Sequence, residues 1–250
     1  MNDERELLRK RFLELGRKTE RGYFTFSDFL GLSEQNIFAL AKKELPCRFT
    51  IFGGVDGAER VMIRFGDTEE LGYEQPFPIK CLIIEPKSPK FADKLTHRDF
   101  LGALINLGIE RSSLGDIVIR DNSAFLFCKE EIAPFILSEL TRVRHTDVKL
   151  SEAEELPAGS LYKTETKSIQ VASERIDAMI ARVFNTSRED AQTLFKKGLV
   201  FLNGEVCEST SKTLKEKDKV SVRGHGRFIY LGYSGLTKKG RLNATVEIYV

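Results

Sequence analysis

The stretch SREDAQTLFKKGLVFLNGEV, residues 187–206, holds a whole supersecondary unit and decides how the last third of the chain folds. Ser187 predicts a helix N-cap, and Asp190, three residues on, is its capping-box partner. Ala191, Leu194 and Phe195 share one face of that helix. Gly198 stands where a left-handed C′ residue ends it. LVFL then reads as a strand, and Asn203-Gly204 as a type I′ hairpin turn.

Upstream, SERIDAMIARVF predicts another short helix, with Ile176, Met179, Ile180 and Val183 at helical spacing. Arg175 and Arg182, seven apart, fall on one side of it. Arg188, Gln192 and Lys196 line one side of the next helix, and Lys197 follows at its C-terminal end, where a cation also suits the helix dipole. Charge alone fits an ordinary solvated face as well. Downstream, DKVSV alternates into Arg223-Gly224-His225-Gly226-Arg227, and no acid occurs between Arg223 and Arg241. Glycines beside arginines let a phosphate approach the backbone while the guanidinium grips it.

The residues RIDAMIARVFNTSREDAQTLFKKGLVFLNG and DKVSVRGHGRF resemble the S4 RNA-binding domain. That family's elements are met at Arg175-Ile176-Asp177, Ser187-Arg188 with Ala191, Gly198 with Val200, Asn203-Gly204, and Arg223-Gly224 with Gly226-Arg227. Two positions depart from it: Leu202 replaces Val before Asn203, and Lys217 replaces Gly before Asp218. Pattern and resemblance together nominate an RNA-binding set of Arg175, Arg182, Ser187, Arg188, Gln192, Lys196, Lys197, Asn203, Gly204, Arg223, Gly224 and Arg227. GGVDGAER (53–60) and LTHRDFLGALINLGIERSSLGDI (95–117) extend the resemblance over nearly the whole chain, to the YlmH-like family of cytoplasmic bacterial S4 proteins linked to cell division and to the ribosome. It implies binding to structured ribosomal RNA on the large subunit where translation has stalled. Transfer RNA there and cell-division proteins are further partners it allows.

The rest of the chain predicts an α+β protein in parts. Residues 2–17 read as a helix with Leu7, Leu8, Phe12 and Leu15 on one face. SEQNIFALAKKEL reads as a second, capped by Ser33, with Ile37, Leu40 and Ala41 at helical spacing and Pro46 ending it. CRFTIFGG is strand-like. From Ile79 the order is strand (IKCLIIEP), helix (THRDFLGALINLG), two strands (DIVIRD, AFLFCK), helix (EEIAPFILSELTRV) and strand (HTDVKL), the βαββαβ order of ferredoxin-like and RRM folds. Thr96 and Asp99 form a capping box, Gly108 ends that helix, and Asp121-Asn122-Ser123 separates the two strands. SEAEELPAGS, with Pro157 and Gly159, reads as linker. The expected parts are a helical segment at 1–46, an α+β middle domain at 47–150, a linker at 151–167 and an S4 domain of alpha-L type at 168–250.

Composition agrees with a globular protein: 250 residues, 41% hydrophobic, 30% charged, net charge +2. From Ser168 onward Lys and Arg outnumber Asp and Glu by 14 to 9, whereas before it acids lead by 28 to 25. A polyanion therefore meets the C-terminal end. Cys47, Cys81, Cys128 and Cys207 have no metal-ligand spacing, so no metal or other cofactor is expected. The charged N-terminus and the lack of a long apolar run point to a cytoplasmic protein with no membrane span.

Catalytic readings fare poorly. His97-Arg98-Asp99 has no GxSxG elbow and no neighbouring Cys, and Asp99 is accounted for by its cap. His97 and Arg98 at a helix start, with Arg111, suit a second RNA or partner contact, and Lys87, Lys90 and Lys94 lie near them. GRLNAT (240–245) mimics a pseudouridine-synthase motif but carries Asn243 where that chemistry needs Asp. GGVDGAER lacks the third glycine of a nucleotide loop and reads as a tight turn into a packed segment. The expectation is a non-enzymatic RNA-binding protein. Its rivals are an RNA-modifying enzyme with a site in the middle domain and a division-site scaffold.

Overall fold

The computed structural model describes residues 2–120, 123–158, 161–237 and 240–249. Asp121 and Asn122 of the expected turn, Gly159 of the expected linker, and Lys238 and Lys239 lie outside them. The chain divides into two compact units, Met1–Leu161 and Tyr162–Val250, and mixes helix and sheet in both.

The first unit opens with helix α1 (Asn2–Lys18), strand β1 (Thr25–Phe26), α2 (Leu32–Ala41), β2 (Phe49–Phe52), β3 (Met62–Phe65) and the short α3 (Thr68–Leu71). β1, β3 and β2 form an antiparallel sheet, and Phe12, Leu15, Phe38, Ala41, Ile63 and Phe65 join its strands to α1 and α2 in one cluster. Residues 49–65 thus share a core with the helical segment, across the expected 46/47 boundary. Their strands are short, and β1 spans two residues. Two face assignments change. Leu7 and Leu40 are exposed, because α1 buries the stripe Leu8, Phe12, Leu15 and α2 buries Leu32, Phe38 and Ala41. Ser33 lies inside α2. The cap is Gly31, whose N–H donates to Glu34 Oε2 at 2.6 Å.

Next come β4 (Ile79–Pro86), α4 (His97–Asn106), β5 (Leu114–Arg120), β6 (Ser123–Lys129), α5 (Ala133–Glu139), β7 (Arg142–Val143) and β8 (Thr146–Glu152). The sheet order is β5-β6-β4-β8-β7, and every neighbouring pair is antiparallel. The Thr96–Asp99 box is present: Asp99 Oδ2 accepts from Thr96 N at 2.8 Å and from Thr96 Oγ1 at 2.7 Å. α5 is shorter than expected. It ends at Glu139, and Arg142-Val143, read as its last turn, pairs with β8 instead.

Leu82, Ile84, Leu126 and Val148 meet Phe100, Leu104 and Ile136 of α4 and α5. On the other face of β6, the buried Phe127 lies against Gly54, and a Cβ there would come within 2.4 Å of its ring. Gly54 has φ +91°, so its backbone needs glycine as well. GGVDGAER is therefore a packed turn. Asp116 fixes it, accepting from Glu59 N at 2.6 Å and Arg60 N at 3.1 Å. The Arg60 guanidinium turns inward to the carbonyls of Leu114, Phe29 and Arg111, at 2.8–2.9 Å.

The second unit contains β9 (Thr164–Val171), α6 (Ile176–Val183), α7 (Arg188–Lys196), β10 (Val200–Leu202), β11 (Glu205–Val206), β12 (Lys219–Val222), β13 (Gly226–Leu236) and β14 (Leu242–Tyr249). Its sheet runs β11-β10-β12-β13-β14-β9, antiparallel throughout. Ile176, Met179 and Ile180 of α6 and Ala191, Leu194 and Phe195 of α7 pack on Val200, Val220, Phe228, Tyr230 and Val246. β9 begins inside the expected linker and pairs with β14 over eight positions. Among the described residues no helix is long and apolar enough to cross a membrane. Cys81, Cys128 and Cys207 are buried and Cys47 is partly exposed.

Candidate nucleic-acid interface

The start of α6 carries an ionic knot. Asp177, in its first turn, shows no surface to solvent although it lies shallow. The Arg175 guanidinium forks onto it, Nε to Oδ1 at 3.1 Å and Nη2 to Oδ2 at 2.9 Å. Ala178 N donates to Oδ1 at 2.8 Å, and Arg188 Nε stands 3.9 Å from Oδ2. Burial pushes the Asp177 carboxyl up, but Arg175, the Ala178 N–H and Arg188 outweigh it and hold the group below the usual carboxylate range. Arg175 occupies the N-cap position of α6, in extended backbone. It therefore precedes the helix and does not share a helical face with Arg182.

One carboxylate faces two guanidiniums, while Glu189 and Asp190 stand in the same first turn of α7, so what the arrangement fixes is the place of the Arg188 cation and not a net positive charge. Arg175 takes the bidentate place, while the Arg188 side chain stays 55% exposed. Along α7, Gln192, Lys196 and Lys197 are exposed, as is Arg182 on α6. Nine residues of helix carry this row over about 14 Å. Ser187 caps α7: its Oγ accepts from Asp190 N at 3.0 Å and donates to Asp190 Oδ2 at 2.7 Å. Gly198 (φ +64°) ends it.

The 223–227 loop sits beside that end. Arg223 N donates to the carbonyl of Leu199 at 3.0 Å, and the guanidinium of Arg223 lies 5.4 Å from the Phe201 ring centre. Gly224 (φ +81°) and Gly226 (φ +123°) make the turn. Arg227 is held between two aromatic rings, 4.1 Å from the centre of Tyr162 and 3.9 Å from that of Tyr249. Neither tyrosine stands out in the sequence as a partner for Arg227. Tyr249 reaches it only because β13 and β14 pair.

Asn203 and Gly204 take φ +52° and +85°, the left-handed pair a type I′ turn requires. The Asn203 amide is used at both ends, donating to Asp218 Oδ1 at 2.8 Å and accepting from Lys219 N at 2.9 Å. It shapes the turn facing it, where Lys217 sits at φ +71° in the place the S4 pattern gives to glycine.

The second nominated set divides. His97 and Arg98 lie exposed in the first turn of α4. Desolvation by the surrounding protein, then the Arg111 guanidinium, lower the His97 imidazole, with Asp116 opposing them. Arg111 is half-buried, its Nη1 donating to the Gly115 carbonyl at 3.1 Å. Burial and then Arg60 push it down to about 10. Arg98 is the one member of this set that stands in solvent as a plain cation. Among the described residues no group of three His, Cys, Asp or Glu could hold a metal ion.

Residues 73–156 match the family model described as "Putative RNA-binding domain in YlmH". The chain is similar to the "Ribosome-associated protein quality control protein P2" of Bacillus subtilis (strain 168), 31% identical over 253 residues that cover 98% of this chain and 95% of that protein. Among solved structures it is similar to the "Cell division protein ylmH from Streptococcus pneumoniae", at 25% identity over 60% of this chain and 91% of that one, with a TM-score of 0.48.

Proposed function

The chain belongs to the YlmH family, and from that premise we propose that it is a non-enzymatic protein that binds structured ribosomal RNA on the large subunit, through a C-terminal domain of S4 type. The observation that carries this is the exposed row along α7: Arg175 satisfies Asp177, Arg188 remains exposed, and past Gln192 the cations Lys196 and Lys197 lead to the Arg223 loop. Phosphates supply most of the affinity on such a surface, and RNA shape sets specificity. Arg175, Ser187 and Asn203 act by holding the surface in shape, and Arg182, Arg188, Gln192, Lys196, Lys197 and Arg223 meet the RNA. Arg227, with its two tyrosines, closes the far side. The strand order β5-β6-β4-β8 supports reading the middle domain as ferredoxin-like. The relative's name, with its ribosome-associated quality control, supports a role on stalled ribosomes in the cytoplasm.

The test is crosslinking of the tagged full-length protein to RNA in its own cell, followed by sequencing. A footprint focused on one site of large-subunit ribosomal RNA, lost in Arg188→Glu, is the expected result. A dispersed footprint, or one that Arg188→Glu leaves intact, overturns the reading. Modified nucleotides appearing in RNA incubated with the pure protein would favour an RNA-modifying enzyme instead.

A further inference from the structure

Phe91 is 89% exposed, the most exposed of the large apolar side chains among the described residues. It does not sit on a loose loop. The segment between β4 and α4 is tied at its start, where Lys87 N donates to the Asp147 carbonyl at 2.9 Å. It is tied again beyond the apex, where Asp93 N donates to the buried Thr146 Oγ1 at 3.0 Å, and Leu95 inserts into the core. Between the ties a tight 3-10 turn, Pro89–Phe91, closes with Phe91 N to the Ser88 carbonyl at 3.1 Å and carries the ring at its tip.

Holding a bare aromatic ring in water has no benefit to folding, since burying it would stabilise the protein. The surroundings say what would cover it. Lys87, Lys90 and Lys94 flank the ring in sequence, all exposed, and Arg98 follows in the first turn of α4. Asp93 is the sole acid from Lys87 to Leu95 and is half-buried. Glu85, Asp99 and Asp147, the next acids, are engaged by Lys149 at 3.2 Å, by the Thr96 cap and by Arg142 at 3.4 Å. A flat, exposed π-face with exposed ammonium groups before and after it in the segment matches an unpaired base between its two phosphates. The cations suit a polyanion, and a flat ring at the tip of a tied turn suits stacking on a base.

We propose that Phe91 stacks on an unpaired base of the bound ribosomal RNA while Lys87, Lys90 and Lys94 hold the flanking phosphates, giving the first unit an RNA contact separate from the basic helices of the second. This rests on the RNA-binding reading above and adds a second anchor to it. It also reassigns the charged contact of this unit from His97 and Arg111 to the loop before them.

The experiment titrates the full-length protein with protein-free large-subunit ribosomal RNA and with intact bacterial large subunits, across a salt series. Phe91→Ala should weaken binding to the free RNA about 5- to 150-fold with no change in salt slope, and Phe91→Tyr should restore it. Lys90→Ala should lower the slope by about one unit. Melting curves should be unmoved, because the ring has little to lose from the core. Phe91→Leu separates stacking from simple apolar contact: if it binds as well as the parent, the proposal falls. It falls equally if Phe91→Ala binds free RNA normally, or loses affinity only for intact subunits, which would assign the ring to a ribosomal protein. Arg188→Ala, run beside it, tells the two readings apart. If Arg188→Ala weakens binding and Phe91→Ala does not, the stacking contact alone is wrong. If the parent protein binds neither target, the whole RNA reading goes with it.

Discussion

Asp116 in the first unit and Asp177 in the second are both covered carboxylates with arginines nearby, yet they leave opposite surfaces behind. Asp116 binds the backbone of Glu59 and Arg60, and Arg60 turns its guanidinium to three carbonyls. The charge is consumed inside, and the product is a rigid turn. Asp177 takes the forks of Arg175 and leaves Arg188 largely in water. There the same chemistry places a fixed cation at the surface. The difference lies in what the backbone already supplies. Glycines at 53 and 54 bring the first turn so close to its neighbours that polar groups must be satisfied inside, whereas two helix starts can share one acid and face outward.

The comparison breaks most directly at Gly54. Gly54→Ala puts a Cβ 2.4 Å from the Phe127 ring at φ +91°. Left-handed strain and overpacking together should cost about 2–5 kcal/mol. Calorimetry should show the first unit destabilised with RNA affinity of the second unit retained. Retention of the parent melting profile would mean that the turn is not packed as described.

Asp177→Ala is next. It removes a covered acceptor of three hydrogen bonds, two of them from a guanidinium, and should cost about 2–4 kcal/mol. Hydrogen exchange at the starts of α6 and α7 would report it. The acid dependence has a definite sign. The folded group titrates below its unfolded value of roughly 3.9, so its contribution is full above that pH and is lost as pH falls through the folded value. Asp177→Asn should flatten the acid limb of the second unit's melting profile. A limb unchanged by Asp177→Asn would show that Arg175 does not hold an ionised partner.

What the sequence disclosed follows the same division. The second unit was legible where local rules apply: the Ser187 cap, Gly198, and the Asn203-Gly204 turn all appear in the structure, because each depends on neighbours within a few residues. β9 was not legible, since its side chains are mostly exposed and polar and it is a strand only through its eight-position pairing with β14. β1 was invisible for the same reason at two residues long. The ionic knot was half visible. Arg175, Asp177 and Arg188 stand out in the pattern, but that one acid serves both arginines requires the helix starts to meet in space. Phe91 carried no signal beyond its basic neighbours, because exposure of a single ring has no sequence period.

Arg188→Ala sharpens the comparison from the surface side. Its ion pair is long, its own side chain is 55% exposed and Arg175 already satisfies Asp177, so stability should change by about 1 kcal/mol or less. Binding should weaken, with the salt slope lower by about one unit. Leu194→Ala, on the buried face of the same helix, should do the reverse and act through folding. Equal melting losses from both variants would show that Arg188 belongs to the interior arrangement, as Arg60 does.

The smallest effect concerns how each unit makes its tight turns. The packed 53–60 turn of the first uses glycine at φ +91° and +79° (Gly54 and Gly57), while the turn before β12 in the second places Lys217 at φ +71°. Lys217 is kept there by its neighbours: its own N–H donates to the Tyr230 carbonyl at 2.7 Å, and Asp218 Oδ2 accepts from Lys215 N at 2.7 Å. A side chain in that backbone region costs roughly 1–2 kcal/mol, and glycine would return part of the gain as extra freedom in the unfolded chain, roughly 0.5–1 kcal/mol. Lys217→Gly should therefore stabilise the second unit by roughly 0.5 kcal/mol, a rise of roughly 2–4 °C in its melting temperature. Because Lys217 lies on the turn that Asn203 braces and outside the basic row of α7, RNA affinity and its salt slope should stay the same. A fall of one unit in that slope would extend the RNA surface across the turn. It would also explain why a cation, rather than glycine, occupies a left-handed position there.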